Sequence, residues 1–264
     1  MLVLSGTAAR TQNGAWIDRD ASLDPSCTIG QGVKVFGHVQ AKENVRIEPN
    51  TVIYGPARIG SGSFVGPNVT LGFPARGELK ASISRGLGLH EAPRRVELII
   101  GRDCIIRSGA CAYSGVSIGD KVSLGHNVMI RENVQIGRET MIGTGVVIDG
   151  SCRIGRRVSI QTGAYLSAHC TIEDSVFLGP HAVLTNDKYA AQKKTSLLGP
   201  TIRRGASIGA NSLLMQGVEI GEGSVVGAQS LVMNDVPPRM VYVGIPAKKL
   251  KKIPADWRTF LLPP

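Results

Sequence analysis

Three features are scarce in this chain of 264 residues: aromatic side chains, paired cysteines and long apolar runs. Aromatic residues make up 5% of the sequence, and few of them lie between the basic residues that give a net charge of +10. A nucleic-acid groove combines basic and stacking side chains, so no nucleic acid is expected as a partner. The basic residues fit solvated faces or sites for phosphate-bearing small molecules better.

The five cysteines have no paired spacing, and the sequence contains no CxxC motif or Cys/His cluster. We therefore predict neither a disulfide framework nor a zinc site, and the cysteine usage indicates a reducing compartment. The opening segment, MLVLSGTAAR, has an apolar stretch too short for a signal peptide or a membrane span. We expect a cytoplasmic protein without membrane insertion and without a metal.

The sequence does contain an aliphatic residue at almost every sixth position, from Leu23 to Leu71, from Ile100 to Leu184 and from Ile202 to Val232. Neither a helix nor a single strand has that period, because their side-chain periods are 3.6 and 2. The repeat predicts a parallel β-helix, in which each six-residue unit forms one face and points its aliphatic side chain inward. Three faces complete one coil, so the chain is expected to form about ten coils.

Two segments interrupt the repeat, residues 73–98 and 186–201, and we predict both as loop excursions. The frame changes across the first segment but not across the second, so the second could replace one whole coil. Residues 1–236 are thus predicted as one elongated all-β domain. Two prolines break the repeat at its end, and residues 237–264 are predicted as a cap with a short basic helix and an arm.

Glycine and cysteine occupy fixed positions in the repeat. Gly often follows the aliphatic residue, where we expect a corner with positive φ. Four cysteines lie at the second inward position of the repeat and are predicted to pack in the core: Cys27, Cys104, Cys152 and Cys170.

The glycine-containing repeats and the ending GASIGANSLLMQGVEIGEGSVVGAQSLVMNDVPPRMVYVGIPAKKLKK resemble the hexapeptide-repeat acyltransferases. This resemblance implies a left-handed parallel β-helix, a homotrimer and acetyl-CoA as the acyl donor. It further implies that backbone groups around Ser207, Ala210 and Ala228 contact coenzyme A. The phosphates of the coenzyme would meet Lys248 or Lys249.

A narrower resemblance links VFLGPHAVLTNDKY and PTIRRGASIGAN to enzymes that N-acetylate nucleotide-linked amino sugars. It implies direct attack of the sugar's amino group on the thioester, with Lys188 and Tyr189 on the substrate side. Leu184 stands where that pattern has Phe, and AAQKK stands where it has PRSK. These differences affect the identity of the sugar more than the reaction.

Two groups of residues compete for the catalytic role. Counting eighteen residues per coil places His169 beneath Asp187, with Asn186 beside them, so these side chains could accept a proton and orient an amine. The alternative is that Asn186 and Asp187 only form a turn. His126, in SLGHNVMIREN, occupies the position where many hexapeptide acyltransferases carry a catalytic histidine. We favour the upper group over His126.

Three other functions are considered. O-acyl transfer to a UDP-sugar, with His126 as base, would resemble the first acyltransferase of lipid A synthesis. A non-catalytic trimeric scaffold is the alternative outside enzymes. A carbonic anhydrase of this fold is disfavoured because no two histidines have the H-x4-H spacing.

Overall fold

The structure is a computed structural model that describes residues 10–12, 14–92 and 96–261. The described residues contain one α-helix, α1 (Arg76–Ser84), and one 3-10 helix (Leu89–Glu91). All other regular structure is strand. In chain order the strands are β1 (Arg10–Gln12), β2 (Ala15–Ile17), β3 (Ser22–Leu23), β4 (Thr28–Ile29), β5 (Lys34–Phe36), β6 (Val39–Ala41), β7 (Arg46–Ile47), β8 (Val52–Tyr54), β9 (Ala57–Ile59), β10 (Phe64–Val65), β11 (Thr70–Phe73), β12 (Leu98–Ile100), β13 (Ile105–Ile106), β14 (Cys111–Tyr113), β15 (Ser117–Ile118), β16 (Ser123–Leu124), β17 (Met129–Ile130), β18 (Gln135–Ile136), β19 (Met141–Ile142), β20 (Val147–Ile148), β21 (Arg153–Ile154), β22 (Ser159–Ile160), β23 (Tyr165–Leu166), β24 (Thr171–Ile172), β25 (Phe177–Leu178), β26 (Val183–Leu184), β27 (Thr201–Ile202), β28 (Ser207–Ile208), β29 (Leu213–Leu214), β30 (Glu219–Ile220), β31 (Val225–Val226), β32 (Leu231–Val232), β33 (Met240–Val243) and β34 (Lys248–Lys252).

Every third strand joins the same sheet, so the chain winds through three sheets in turn. Sheet A runs from β2 to β32 with β1 at its end, sheet B from β3 to β30, and sheet C from β4 to β33 with β34 at its end. Neighbouring strands of successive coils are parallel and eighteen residues apart, as where Ile130 pairs with Ile148. The predicted left-handed parallel β-helix is confirmed. Its sheets hold 12, 10 and 12 strands, so the stack is slightly longer than the ten coils expected.

The chain passes from sheet A to sheet B to sheet C in each coil, which creates three corners that run the length of the stack. We call them the A–B, B–C and C–A corners. The repeating aliphatic side chains fill the space between the sheets, and nearly all of them are fully buried. The buried thiols of Cys104, Cys152 and Cys170 confirm the core position predicted for them, whereas Cys27 is half-buried.

Gly72 has the predicted positive φ (73°), but the other glycines that follow the aliphatic residues serve a different purpose from the one predicted. The left-handed backbone occurs two residues later, as at Asn127 (φ 56°) and His169 (φ 69°). Gly125 lies instead against the next coil, and a Cβ added to it would be 2.5 Å from the backbone nitrogen of Thr144. A residue without Cβ is needed here because adjacent corners approach closely, not because φ is positive.

The first excursion leaves sheet A after β11 and returns at β12, and it contains α1 as well as irregular segments. The Glu78 carboxylate accepts hydrogen bonds from the Ala75 N–H (2.9 Å) and from the Ser114 hydroxyl (2.8 Å). These bonds attach the start of α1 to the A–B corner of the next coil. Residues 93–95 of this excursion lie outside the described residues.

The second excursion does not replace a coil, as the unchanged frame had allowed. Strand β27 pairs directly with β24, so Ile202 lies beside Ile172 at a separation of thirty positions instead of eighteen. The excursion therefore adds twelve residues to a coil that is otherwise complete. Like the first, it leaves from the A–B corner, because it follows a strand of sheet A and precedes one of sheet B.

The C-terminal segment forms a hairpin in place of the short basic helix predicted. Strand β33 extends sheet C beyond β31, and β34 pairs antiparallel with β33. An extended segment satisfies the open hydrogen-bonding edge of the last coil, which a helix would leave unpaired. Residues 253–261 form an arm along the B–C corner, where the Ser175 hydroxyl donates to the Leu261 carbonyl (3.0 Å).

Candidate active site

His126, Ala210 and Ala228 lie on one edge of the molecule, the C–A corner, and Ser207 lies on the neighbouring face of sheet C. Backbone hydrogen bonds join successive coils there, as from the Gly145 N–H to the His126 carbonyl and from the Gln229 N–H to the Ala210 carbonyl (both 2.8 Å). His126 lies four strand spacings below Ala210, which is about 19 Å at about 4.8 Å per spacing. Upward along this corner the residues are Ser108, His126, Thr144, Thr162, Pro180, Ala210 and Ala228.

The His126 side chain is exposed at this corner and has one hydrogen-bond partner among the described residues. Its Nδ1 lies 2.7 Å from the hydroxyl oxygen of Ser108, one coil below. When Nδ1 carries the proton and donates it to Ser108, Nε2 presents a lone pair to the solvent side. The geometry therefore suits an imidazole that accepts a proton from a bound substrate.

Ala210 and Ala228 present small side chains and unused N–H groups. In the described part of the chain, neither N–H donates a hydrogen bond to another residue. Ala228 is exposed and Ala210 is half-buried. An extended ligand with amide carbonyls could accept hydrogen bonds from both residues without disturbing the sheets.

The two lysines predicted to meet phosphates lie at the upper end of the same corner. Lys249 pairs with Tyr242 in the hairpin. The Tyr242 carbonyl accepts the N–H of Gly227 (2.8 Å), the residue before Ala228. Lys248 and Lys249 are both exposed. The hairpin thus brings their positive charges next to the last coil of the corner.

A cavity of about 600 Å³ opens beside Ser207, between the outer face of sheet C and the C-terminal arm. Arg204 at its wall pairs with Glu222 (3.0 Å). Arg239 donates instead to the carbonyls of Pro254 (2.8 Å) and Trp257 (3.4 Å), so its charge is not neutralised by these bonds. The remaining arginine and the apolar lining are Arg258, Phe177, Val225, Pro238, Ile253, Trp257 and Phe260. This cavity could not be predicted from the sequence, because the six-residue repeat does not indicate where the arm folds back.

The upper group predicted from the eighteen-residue count is not assembled as expected. Asn186 does lie above Ala168, whose carbonyl accepts its side-chain N–H (3.3 Å). The excursion starts next, and Gly199 takes the place above His169: a Cβ on Gly199 would be 2.6 Å from the His169 carbonyl carbon. Within the described residues no hydrogen bond or ion pair joins His169 to Asp187.

Asp187 forms the first turn of the excursion. Its two carboxylate oxygens accept the backbone N–H groups of Tyr189 (2.9 Å) and Ala191 (2.7 Å). This geometry matches the turn interpretation, since Asp commonly bonds backbone N–H groups just after itself. Lys188 donates its N–H to the side chain of Gln216 (2.8 Å). The side chains of Lys188 and Tyr189 remain exposed to a ligand.

A polar cluster that was not predicted from the sequence lies on the A–B corner, between the two excursions. Arg131 donates to both carboxylate oxygens of Glu132 (2.8 and 3.3 Å) and lies 3.6 Å from Asp149. The Tyr165 hydroxyl donates to Asp149 (2.6 Å), and this bond together with partial burial raises the pKa of Tyr165 to about 12. Only the eighteen-residue spacing of the repeat could have indicated the contacts of Asp149 with Arg131 and Tyr165, because these join successive coils.

No group of His, Cys, Asp or Glu among residues 10–12, 14–92 and 96–261 has an arrangement that could hold a metal ion. Burial raises the pKa of the Cys104 thiol, and it raises that of Cys111 to about 11. A thiolate nucleophile is therefore disfavoured at both positions near neutral pH. No helix in the same described ranges is long and apolar enough to cross a membrane.

Two family models match the repeats. The bacterial transferase hexapeptide model (six repeats) matches residues 42–72, 115–150 and 199–234. The model for the hexapeptide repeat of succinyl-transferase matches residues 97–132 and 133–168. Together the two models cover more than half of the chain.

The chain is also similar to individual proteins. It is 25% identical over 130 residues to the acyl-(acyl-carrier-protein)–UDP-N-acetylglucosamine O-acyltransferase of Azorhizobium caulinodans, a match that covers 49% of this chain and 42% of that relative. The chain thus matches less than half the length of this relative. The UDP-N-acetylglucosamine acyltransferase from Campylobacter jejuni has a TM-score of 0.49 and 15% identity, over 89% of this chain and 74% of its own. A hexapeptide-repeat acetyltransferase from Vibrio cholerae, complexed with acetyl coenzyme A, has a TM-score of 0.30 and 28% identity, over 49% and 70%.

Proposed function

The chain belongs to the family of bacterial hexapeptide-repeat transferases, and we propose that it transfers an acetyl group from acetyl-CoA to the amino group of a nucleotide-linked amino sugar. The main support is the C–A corner, where His126 lies about 19 Å below Ala210 on one line. An extended pantetheine arm has a comparable length. A coenzyme that accepts hydrogen bonds from the N–H groups of Ala210 and Ala228 would therefore present its thioester near His126.

The cavity beside Ser207 suits the nucleotide end of the same coenzyme. The indole of Trp257 offers a surface on which adenine can stack. Arg258 and the two lysines at the end of the corner, Lys248 and Lys249, supply positive charges for the phosphates. The coenzyme would then cross the outer face of sheet C at Ser207 before it turns down the C–A corner.

His126 would act as the proton acceptor in the transfer step. The amine nitrogen attacks the thioester carbonyl carbon while Nε2 of His126 takes a proton from the nitrogen. The tetrahedral intermediate then expels the sulfur of coenzyme A, and the imidazolium returns the proton to that sulfur. In the tautomer with the proton on Nδ1, that nitrogen donates to the Ser108 hydroxyl and Nε2 is free to accept a proton. No covalent enzyme intermediate is required.

We assign the proton acceptor to His126 rather than to Asp187 or His169. The carboxylate of Asp187 already accepts two backbone N–H groups, and Gly199 packs on the backbone of His169. Asn186, Lys188 and Tyr189 lie on the A–B corner, across sheet A from His126, so we propose that they contact the acceptor from a neighbouring subunit.

We also propose that the protein is a cytoplasmic homotrimer in which sheet A faces the neighbouring subunits. The outward side chains of sheet B are mostly polar: Ser22, Gln40, Arg58, Ser117, Gln135, Arg153, Thr171, Thr201 and Glu219. Those of sheet A are mostly apolar and suit a closed interface: Val52, Met129, Val147, Val183, Leu213 and Leu231. His126 lies at an edge of sheet A, so a second subunit would help to enclose the site.

A second candidate is O-acyl transfer to a hydroxyl group of a UDP-sugar, with His126 again as base. The similarity to an O-acyltransferase that acts on UDP-N-acetylglucosamine favours it. The two candidates share the coenzyme track and differ only in the atom that attacks. A non-catalytic scaffold would need neither the free imidazole of His126 nor the cavity.

The experiment is a CoA-release assay with pairs of UDP- and dTDP-linked sugars that differ only in carrying an amine or a hydroxyl. We expect turnover with an amine and a loss of about 100-fold or more in His126→Gln. Asp187→Asn should retain most activity, and His38→Gln is the control for removing an exposed histidine elsewhere. Turnover with the hydroxyl partner alone would establish the second candidate. Full activity in His126→Gln with loss in Asp187→Asn would move the chemistry to the A–B corner. Failure to bind acetyl-CoA would refute the first candidate, and the second would then require an acyl carrier protein as donor, as the name of the similar O-acyltransferase states.

A further inference from the structure

The end of the stack formed by the C-terminal hairpin and arm concentrates positive charge. Residues 237–261 contain six Lys or Arg residues and one Asp, a net charge of +5 in 25 residues, against +10 for all 264. In the described part of the chain, none of these six basic side chains forms an ion pair. Half of the net charge is therefore present, without local neutralisation, on less than a tenth of the chain.

The same end also exposes large apolar side chains. Ile245 is 75% exposed and Leu250 61%, which makes them two of the four most exposed large apolar residues in the described structure. Ile245 lies in the hairpin turn and Leu250 in β34, between Lys249 and Lys251. Single exposed apolar side chains are common on protein surfaces, so what distinguishes this end is their position among the lysines of β34.

The need to protect an open sheet edge explains the lysines at this end of the stack but not its apolar side chains. Strand β34 is the last strand of sheet C, and lysines on an open edge discourage pairing with another strand. Leu250 in the same strand and Ile245 at the turn have the opposite effect, because apolar side chains on an edge promote association. The combination of lysines with apolar side chains therefore needs a second explanation.

We propose that this end face, defined as residues 244–252, binds the surface of an anionic phospholipid bilayer without crossing it. Lysines attract anionic headgroups, and single apolar side chains enter the boundary between headgroups and acyl chains. Leu250 is flanked on both sides by lysines, so the apolar contacts are separate points rather than one patch. Lipids can rearrange around separate points, whereas a folded acidic protein would need a matching continuous surface.

The proposed trimer would strengthen this interaction, although the inference does not depend on it. A trimer with one threefold axis along the stack places three copies of the end face on the same side. Simultaneous contact of three faces with one bilayer raises the apparent affinity through effective concentration. Removing a charge from each chain would then remove three from the assembly.

The test is co-sedimentation of the full chain with vesicles of phosphatidylcholine mixed with phosphatidylglycerol, compared with pure phosphatidylcholine, at low and high salt. Each lysine near the surface is expected to contribute about fivefold in partitioning, the equivalent of about 1 kcal/mol. The double variant Lys251→Gln/Lys252→Gln should therefore bind about 25-fold more weakly, and Leu250→Ser should also bind more weakly. Leu250 and Lys252 have no assigned part in coenzyme binding. Lys251 Nζ lies 5.3 Å from the centroid of the Trp257 ring, so acetyl-CoA binding is measured on the same double variant.

The matched control is Lys42→Gln/Lys121→Gln, which removes the same charge from exposed positions on the B–C corner, below the hairpin and outside sheet A. Binding to anionic vesicles only, weakened by salt and by the end-face variant but not by the control, would support the inference. Equal losses in the two double variants would assign binding to diffuse net charge and overturn it. Absence of wild-type binding at low salt would overturn it too, and binding to polyglutamate but not to vesicles would assign the face to an acidic protein. Melting temperatures of all variants identify any loss caused by misfolding.

Discussion

Gly199→Ala tests how the second excursion sits on the coil beneath it. A Cβ on Gly199 would be 2.4 Å from the backbone nitrogen of Cys170, about 1 Å inside van der Waals contact. The atoms below cannot yield, because the His169 N–H donates to Gly150 (3.2 Å) and the Cys170 carbonyl accepts from Arg153 (2.9 Å). The excursion must therefore lift away from the coil.

The loss of stability caused by this displacement follows from the hydrogen bonds that close the excursion. Leu198 donates its N–H to the Asn186 carbonyl (3.1 Å), Gly217 donates to the Leu198 carbonyl (3.0 Å), and the Gln216 side chain donates to the Ser196 carbonyl. Three bonds at about 0.5–1.5 kcal/mol each correspond to about 1.5–4.5 kcal/mol. At about 2 °C per kcal/mol for a chain of this size, a central value of about 3 kcal/mol lowers the melting temperature by about 6 °C.

Thermal unfolding and limited proteolysis of the excursion measure this effect. Gly145→Ala is the control, because Gly145 has φ of 66° and an added Cβ meets nothing within 4 Å. That variant should lose about 1 kcal/mol through its left-handed backbone, without faster cleavage at 190–198. If Gly199→Ala melts at or above the control and is cleaved no faster than wild type, Gly199 does not pack on His169. That result would support the prediction from the eighteen-residue count, in which Asp187 lies above His169.

Three further predictions concern single side chains. Asp187→Ala should speed cleavage of the excursion, because it frees the N–H groups of Tyr189 and Ala191, while His126→Gln should leave cleavage unchanged. In an absorbance titration, one tyrosine should ionise near its pKa of about 12, and Asp149→Asn should lower that pKa. Since the folded pKa of Tyr165 is raised, its contribution to stability is complete below about pH 10 and is lost as pH rises towards 12, a loss that Tyr165→Phe should abolish. With a thiol pKa of about 11, Cys111 should react with a disulfide reagent at pH 8 about two orders of magnitude more slowly than an ordinary thiol, and urea should restore the normal rate.

The six-residue period predicted the fold although most strands are only two residues long, as in Met141–Ile142. Strand propensity could not have identified such short elements. The period succeeds because it reports one property, which side chain points inward, and that property repeats in every face. It does not report why a glycine is needed. The sequence alone could not distinguish a corner with positive φ from the close approach that Gly125 makes to Thr144.

The C-terminal hairpin was wrongly predicted as a helix because its sequence carries no sign of the surface on which it forms. The segment Lys248–Lys252 has no alternation of polar and apolar residues, and lysine and leucine favour helices. What decides its conformation is the open edge of sheet C, whose N–H and carbonyl groups need partners. That requirement comes from residues outside the segment. The same holds for the cavity beside Ser207, which exists only because the arm returns to Ser175.

The length of the second excursion determines which residues can share a site. Across Leu184 and Ile202 the sequence frame is unchanged, so Ile202 could lie on any of the three sheets. Had the excursion replaced a coil, Ile202 would lie on sheet A and Ala210 on the B–C corner, away from His126. With Ile202 on sheet B, the Glu173 N–H donates to the Ile202 carbonyl (2.9 Å), and the Thr171 N–H donates to the Pro200 carbonyl (3.1 Å).

If the excursion replaced a coil, the N–H groups of Thr171 and Glu173 would lie about 4.8 Å further from their partners. The edge of sheet B would also be exposed. The backbone of β24 therefore selects the position of β27, and β27 in turn sets the corner on which every later residue stands. Ala210 and Ala228 reach the line of His126 only through this choice. The proposed coenzyme track thus depends on backbone hydrogen bonds made by another sheet, on the opposite side of the core.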